Sequence, residues 1–435
     1  MSHQVVKGKI STAVFEHRAV IKKWFDDKFK EFPASFYCSV DIRDSGEKIA
    51  PVDCNLFPAG FNNICEYDLE ASPPLFRTQI EKMALSHSLK VPEKILIVPE
   101  NHTENKFYLE NLYYLKSILE EAGFEVAFGR YDESFIESAN PSSQKLELTS
   151  HSEKKIVEHY LKNAAGILQT TTGFIPDWIL LNNDFSQGYP KCFDDVKQPI
   201  FPTYKLGWYS RKKSTHFTFY NKLAEEFSKV IELDPWHITI ESQAVPHINF
   251  NEDIGLDRLI ATADEMLTRL KKEHEKRGIT RKPALFIKND SGTYGMGIMV
   301  IESIEELQKM NRRTKNKMSM GKNKSVIDQV LVQEGVPTLL TTEGHTAEPV
   351  IYMMGEELIG GFIRANTERS DMDNLNSQGM FFKKLCFKDL SESLTAKKKS
   401  EYPEDFPTLE AVYGAVAKLS ALAAAMEIKQ AIGKL

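Results

Sequence analysis

The sequence predicts an α/β protein of two domains, and three stretches carry that prediction. "KILIV" (94–98) is a continuously apolar run, and a helical pattern and a second apolar run, "FEVAFGR", follow it. Strand, helix, strand is the signature of a parallel α/β unit. "FIKNDSGTYGMGIMVI" (286–301) sets Gly292, Gly295 and Gly297 between two short apolar runs, with Lys288 just upstream. Beyond it, "VIDQVLVQEGV", "AEPVIYMMG" and "ELIGGFIRAN" read as three successive strands. The expected division is an N-terminal α/β domain over residues 1–250 and a second domain over 251–435 that carries the glycine loop at 291–297.

Size and composition agree. A chain of 435 residues exceeds one ordinary core. Hydrophobic content of 42% and charged content of 27% describe a globular protein. A net charge of −6 argues against nucleic-acid binding through a global positive field. The five cysteines (Cys38, Cys54, Cys65, Cys192, Cys386) are odd in number and show no CxxC spacing. That predicts neither a disulfide framework nor a structural zinc site, and a cytoplasmic setting. No apolar signal core follows the N-terminus. "AVYGAVAKLSALAAAMEI", from Ala411, is interrupted by Lys418 and reads as a buried closing helix.

Each element has a local reason. Residues 1–35 interleave charges with Ile21, Trp24, Phe25 and Phe29, as a helix does. "FYCSVDIRDSGEKIAPVDCNLFP" alternates like two strands broken at Ser45-Gly46. "NKFYLENLYYLKSILEEAG" is a helix that stops at Gly123, and residues 253–278 form a long helix that stops at Gly278. "DWILLNND" is a second apolar strand that runs into polar residues. Polar residues just past the end of a parallel strand are where open α/β sheets bind ligands. "NRRTKNKMSMGKNKS" reads as a basic surface loop, and "YKLGWYSRKKSTHF", with Arg211, Lys212, Lys213 and His216, as a segment that binds an anionic substrate or, the simpler reading, is solvated.

The common catalytic signatures GxxxxGK[ST], HExxH, GxSxG and HRD are missing. The glycine loop is the first positive signal. Glycines let backbone N–H groups close on a phosphate, Ser291 and Thr293 add hydroxyls, and Lys288 brings a point charge. Gln333, Glu334 and Val336 end a strand as an adenine hinge would. Glu348 and Arg364 lie on the next two strands, and a guanidinium is suited to a transferring phosphoryl group. Asp373, Asn374 and Asn376, with Glu348, offer oxygen ligands for Mg2+. Lysine, glycine flap, hinge, acidic strand, arginine and Asp/Asn cluster, in that order, are the layout of an ATP-grasp-type fold, with ATP and Mg2+ as the expected cofactors. In the N-terminal half, Asp53, Asn55, Asn62 and Asn63 form one polar cluster. Asn101 and His102 form a second and Asn183 marks a third, and together they suggest a zwitterionic small-molecule site.

"APVDCNLFPAGFNNI", "PENHTENKFYLENL", "FIKNDSGTYGMGIMVI", "VQEGVPT", "AEPVIYMMGEELIGGFIRANTE" and "DNLNSQGM" together resemble the ATP-grasp-like bacterial glutamate–cysteine ligase family. The resemblance runs from about Asp41 to the final helix. It implies ligation of the glutamate γ-carboxyl to cysteine, through an acyl phosphate made from ATP, as the first step of glutathione synthesis. It implies small-molecule substrates and a pre-ATP-grasp-like N-terminal domain, with no nucleic acid or membrane partner. Homo-oligomerisation, a different acceptor amine and a non-catalytic ATP or amino-acid sensor stay open. After "DNLNSQG" there is no clear Glu-x-Asn of the kind related ligases use for metals.

Overall fold

The computed structural model describes residues 3–101, 104–131, 145–186, 188–291, 297–319, 328–386 and 406–433, with backbone alone at 3–8 and 406–411. Its described residues build three sheets. Helices α1 (His3–Glu16) and α2 (Arg18–Glu31) lead into strands β1 (Tyr37–Asp44) and β2 (Ile49–Asn55). Helix α3 (Glu66–Ser86) follows, with Pro73 and Pro74 inside it. Two prolines inside a helix mask it from any reading by propensity.

The parallel unit is present as expected. Strand β3 (Lys94–Pro99), helix α4 (Lys106–Glu121) and strand β4 (Glu125–Arg130) form it. The Asn105 side chain accepts the Tyr108 N–H and caps α4. The sheet continues through β5 (Lys145–Thr149), β6 (Lys155–Ala164), β7 (Ile167–Thr170), β8 (Trp178–Asn182) and β9 (Ile200–Phe201). Its order is β5-β6-β4-β3-β8-β9, with β7 on β6. Strands β6, β4, β3, β8 and β9 pair in parallel. Strand β3 is buried over all but its first residue, which is why its sequence is continuously apolar.

Helix α5 (Lys213–Val230) leads to the second sheet, which is antiparallel: β10 (Ser242–Pro246), β13 (Gln329–Glu334), β11 (Leu285–Asn289) and β12 (Ile298–Ile301), in that order. Helix α6 (Leu256–Arg277) lays Leu259, Ala263, Met266 and Leu270 against Leu285, Ile287, Val330 and Val332. That spacing is one helical face. Gly278 ends α6 in the left-handed region at φ 68°, where a side chain would be strained. Helix α7 (Ile304–Gln308) follows β12. The basic stretch expected as a loop instead folds in part as helix α8 (Arg312–Ser319), with Met318 buried.

The third sheet runs β17 (Met380–Leu385), β16 (Glu357–Asn366), β15 (His345–Met354), β1, β2, with β14 (Thr341–Thr342) on β15. One face buries Tyr37, Val350, Tyr352 and Phe362 with residues of α3 and α4. The other buries Val40, Ile42 and Ile351 with the final helix α9 (Phe406–Ala431). Two sheets therefore draw strands from both sides of residue 250: β1 and β2 join β15, and β10 joins β13. The cysteine reading needs correction. Cys65, at the start of α3, is disulfide-bonded to Cys386, 321 residues away, with Cα atoms 5.2 Å apart. Spacing along a chain says nothing about such long-range proximity.

Candidate active site

The polar end of the third sheet is the floor of the site. Strand β1 alternates, so Tyr37 enters the apolar core while Asp41 and Arg43 lie on the same face further along. Asp41 stands opposite Asp53 of β2, and Glu348 opposite Arg364 of β16. Arg364 Nη1 donates to Asp41 Oδ2 at 2.6 Å and to Glu348 Oε1 at 3.0 Å. Arg43 Nε lies 2.5 Å from Glu348 Oε2. The other Arg43 nitrogens donate to the backbone carbonyls of Asp371 and Asp373 at 2.8 and 2.7 Å. Arg43 thereby ties the 370–376 turn to the floor.

The second sheet closes from above. Lys288 of β11 reaches across, and its Nζ donates to the Val52 carbonyl at 3.0 Å. Lys213, in the first turn of α5, holds Asp53 Oδ1 at 2.5 Å. Asp290, fully buried, accepts Ser214 N and Oγ, both at 2.7 Å, and so fixes that turn to the end of β11. The segment expected to be solvated is thus buried: Arg211, Lys213 and His216 are 2%, 6% and 1% exposed. Its cations have carboxylate partners distant in sequence, which a local reading does not see.

The crowding shows in the titration. Burial, then the Lys213 charge, lowers Lys288 to about 7. Burial raises the Asp41 carboxyl, Glu348 and Asp53 add to the rise, and Arg364 opposes it. Burial acts upward on Asp53 too, but Lys213 and Lys288 outweigh it and hold that carboxyl below the usual range.

At the hinge, Gln333 is 1% exposed and its Nε2 has no hydrogen-bond partner among the described residues. Glu334 has its side chain committed to Lys48, at 2.6 and 2.7 Å, and to the Glu241 N–H at 3.0 Å. Val336 is buried. Gly335 permits close packing, since a Cβ there would lie 2.7 Å from Met372 Cε and 2.9 Å from the Ala284 carbonyl. A cavity of about 330 Å3 opens here, lined by Lys48, Trp236, Gly278, Arg281, Glu334 and Val336 among others. Ser291 Oγ is buried without a partner among the described residues, and Gly297 takes φ 64° where β12 begins. Gly292, Thr293 and Gly295 lie outside the described residues, as does His102.

The remaining expected residues are dispersed or in turns. Asp373 accepts Ser370 N and Oγ, at 2.9 and 2.8 Å, and Asn374 accepts the Asn376 N–H at 3.1 Å. Among the described residues, no three histidine, cysteine, aspartate or glutamate side chains gather as a metal cage. Asn55 closes a turn on Phe57, Asn62 donates to Asn63, and Asn101 donates to the Tyr131 carbonyl. Asn183 braces Pro99 and Phe185. Its neighbour Asn182 does more: it is 2% exposed and donates to Tyr37 Oη and the Pro58 carbonyl, while Asn111 accepts Gly60 and Phe61 N–H. This network fixes the 58–63 loop between the parallel sheet and the third sheet. Asp41, Lys48 and Asp290 were not expected at all, because each lies in an ordinary strand or turn pattern.

Residues 11–428 match the family model GshA, Glutamate-cysteine ligase. A protein from Methylobacillus flagellatus KT, provisionally named a γ-glutamylcysteine synthetase, has a solved structure that superposes with a TM-score of 0.85 at 32% identity. The match covers 98% of this chain and 97% of that one. A glutathione synthetase-like effector from Globodera pallida (TM-score 0.38, 11% identity, 84% and 82% of the chains covered) is too distant to carry an argument. So is D-alanyl-alanine synthetase A from Vibrio cholerae (TM-score 0.34, 9% identity, 75% and 80% covered). A search of the curated proteins gave no match. Among the described residues no helix is long and apolar enough to cross a membrane. With its mixed α/β fold and a match over nearly its whole length, the chain belongs to the glutamate–cysteine ligase family, and so to the ligases.

Proposed function

We propose that the two facing antiparallel sheets work as an ATP-grasp pair that activates the γ-carboxyl of glutamate for attack by cysteine. A carboxylate oxygen attacks the terminal phosphorus of ATP, ADP leaves, and an acyl phosphate results. The cysteine nitrogen then attacks the acyl carbon and phosphate leaves, giving γ-glutamylcysteine. The observation that carries this reading is that Lys288 of one sheet reaches the Val52 carbonyl of the other, close enough to feel the charges of Arg43, Asp41 and Asp53 on a floor that also holds Arg364 and Glu348. Such a cleft concentrates positive charge where phosphoryl oxygens gain negative charge.

In this reading Lys288 and Arg364 face the transferring group. Ser291, Gly292, Thr293, Gly295 and Gly297 cover the phosphates and keep water off the acyl phosphate. The base takes the hinge cavity beside Gln333, Glu334 and Val336. Gln333 Nε2 near the hinge and Ser291 Oγ past the far end of β11, neither partnered among the described residues, suit a polar ligand that spans the two. Of the expected oxygen donors, Glu348 is held by Arg364 and Arg43, whereas Asp373, Asn374 and Asn376 share one turn beside the floor; Mg2+ held by that turn, with Glu348 near, would neutralise phosphate charge. Asn55, Asn62, Asn63, Asn101, His102 and Asn183 border the amino-acid side. The setting proposed is cytoplasmic, with small-molecule substrates and a homo-oligomer as the assembly.

The test is phosphate release from ATP, Mg2+ and glutamate with each amino acid or small amine added in turn, with product masses read alongside. Release and a γ-glutamylcysteine mass with cysteine alone supports the reading. Release with another amine keeps the mechanism and changes the acceptor. ATP binding without release under any condition overturns catalysis in favour of a sensor.

A further inference from the structure

We infer that Asp41 and Asp53 together hold the α-ammonium of the carboxyl-donor amino acid, an inference that rests on the ligase reading. The two carboxylates are direct cross-strand neighbours on one face of the third sheet. Like charges in that arrangement destabilise a sheet, so the pair has a cost that packing does not explain. Each is half-neutralised from its outer side, Asp41 by Arg364 on Oδ2 and Asp53 by Lys213 on Oδ1. The Cys54 N–H also falls on Asp53 Oδ1. Among the described residues, Asp41 Oδ1 and Asp53 Oδ2 accept no hydrogen bond. The side chains stay 20% and 38% exposed in an otherwise buried cluster, so a ligand can reach them.

A second observation points the same way. Arg364 is nine-tenths buried, yet among the described residues its Nε has no hydrogen-bond partner. An unspent guanidinium N–H on the partner of Asp41, with Asp53 the cross-strand neighbour, suits a ligand that carries both charges. The chemistry then selects which ammonium. The acceptor amine must lose its proton to attack, and two carboxylates would hold it protonated and unreactive. The donor's α-ammonium takes no part in the reaction and needs a fixed partner. The raised carboxyl of Asp41, pushed up by burial and by Glu348 and Asp53, is relieved by a bound cation.

Glutarate, which is glutamate without the amino group, is the probe. Binding of glutamate and of glutarate to the full chain is measured by calorimetry, and turnover with ATP, Mg2+ and cysteine is measured in parallel. The wild type is expected to prefer glutamate. Asp41→Asn and Asp53→Asn are each expected to weaken glutamate about 10- to 100-fold, as loss of one charged hydrogen bond does. They should raise KM more than they lower kcat and leave glutarate almost unchanged, so that the preference collapses. Equal losses for both acids, or an unchanged glutamate affinity in a folded variant, overturns the assignment. If Asp41→Asn does not fold, Asp53→Asn, at the more exposed position, decides. Preferential glutamate binding that collapses in the variants, without wild-type turnover, fails the ligase reading and keeps the ammonium site. Turnover with an intact preference in both variants does the reverse.

Discussion

Two buried ion clusters in this protein both pair an arginine with carboxylate and end differently. In the first, Arg211 makes a two-pronged contact with Glu427 at 2.8 Å on both arms and donates to the Cys54 carbonyl at 2.6 Å. His216 Nδ1 lies 2.6 Å from Glu427 Oε1, and its Nε2 lies 2.9 Å from Ser420 Oγ. Both carboxylate oxygens of Glu427 are engaged. In the second, around Arg364, Asp41, Asp53 and Lys288, carboxylate oxygens and a guanidinium nitrogen remain unspent among the described residues. A closed ion cluster serves the fold, here by locking the last helix to α5 and β2. An open one has capacity for a ligand. Their spacing links them, since Arg211 sits two residues before Lys213.

Breaking the closed cluster is expected to have the largest effect. Glu427→Gln leaves Arg211 buried and uncompensated, at about 3–5 kcal/mol of stability. The measurement is the denaturation midpoint. A variant that melts normally but has lost turnover would move this cluster into the catalytic machinery. Opening the other cluster tests the reverse. Lys288→Met is expected to lower kcat/KM about 100- to 1000-fold while the melting temperature holds or rises, because a desolvated cation is removed. Near-normal phosphate release would take Lys288 out of its role.

The two clusters should also act in separate pH windows, with stability rising with pH in each. Burial raises Glu427, but Arg211 and His216 outweigh it and hold it at about 2, against an ordinary 4.5. Its stabilisation is complete above pH 4.5 and is lost as pH falls toward 2. Lys288 is lowered from 10.5 to about 7, so the unfolded chain binds the extra proton between those values. Its cost to stability is full below pH 7 and is relieved as pH rises to 10.5. Melting curves against pH for wild type, Glu427→Gln and Lys288→Met should show each slope vanish in its own variant. The smallest effect is at Asp373. Asp373→Ala is expected to raise the Mg2+ concentration for half-maximal phosphate release by a few-fold. An unmoved Mg2+ dependence would leave Asp373 as only the partner of Ser370.

Much of the architecture was legible because it is written in local pattern. The apolar run of β3, the single face of α6 and its Gly278 stop, and the near-continuous burial of β15 and β16 each follow from a few neighbouring residues. Lys288, Glu348 and Arg364 could be singled out because lysine-strand, acidic strand and arginine strand occur in order. The basic stretch at 211–216 misled, since a run of cations resembles a solvated surface until its carboxylates arrive from β2 and α9. Cys65 and Cys386, and the pairing of β1 with β15, were equally hidden.

The sequence by itself determined which segments become strands and helices, where α6 stops, and which family the chain resembles, because those depend on periodicity and short motifs. Only the tertiary structure decided that Asp41 faces Asp53, that Lys288 meets the Val52 carbonyl from the other sheet, and that Glu427 closes on Arg211 from 216 residues away. The physical reason is that a charge's partner and its burial are set by distance through space. Chain-distant contacts carry no local signal, and they alone separate a satisfied ion cluster from one with room for a substrate.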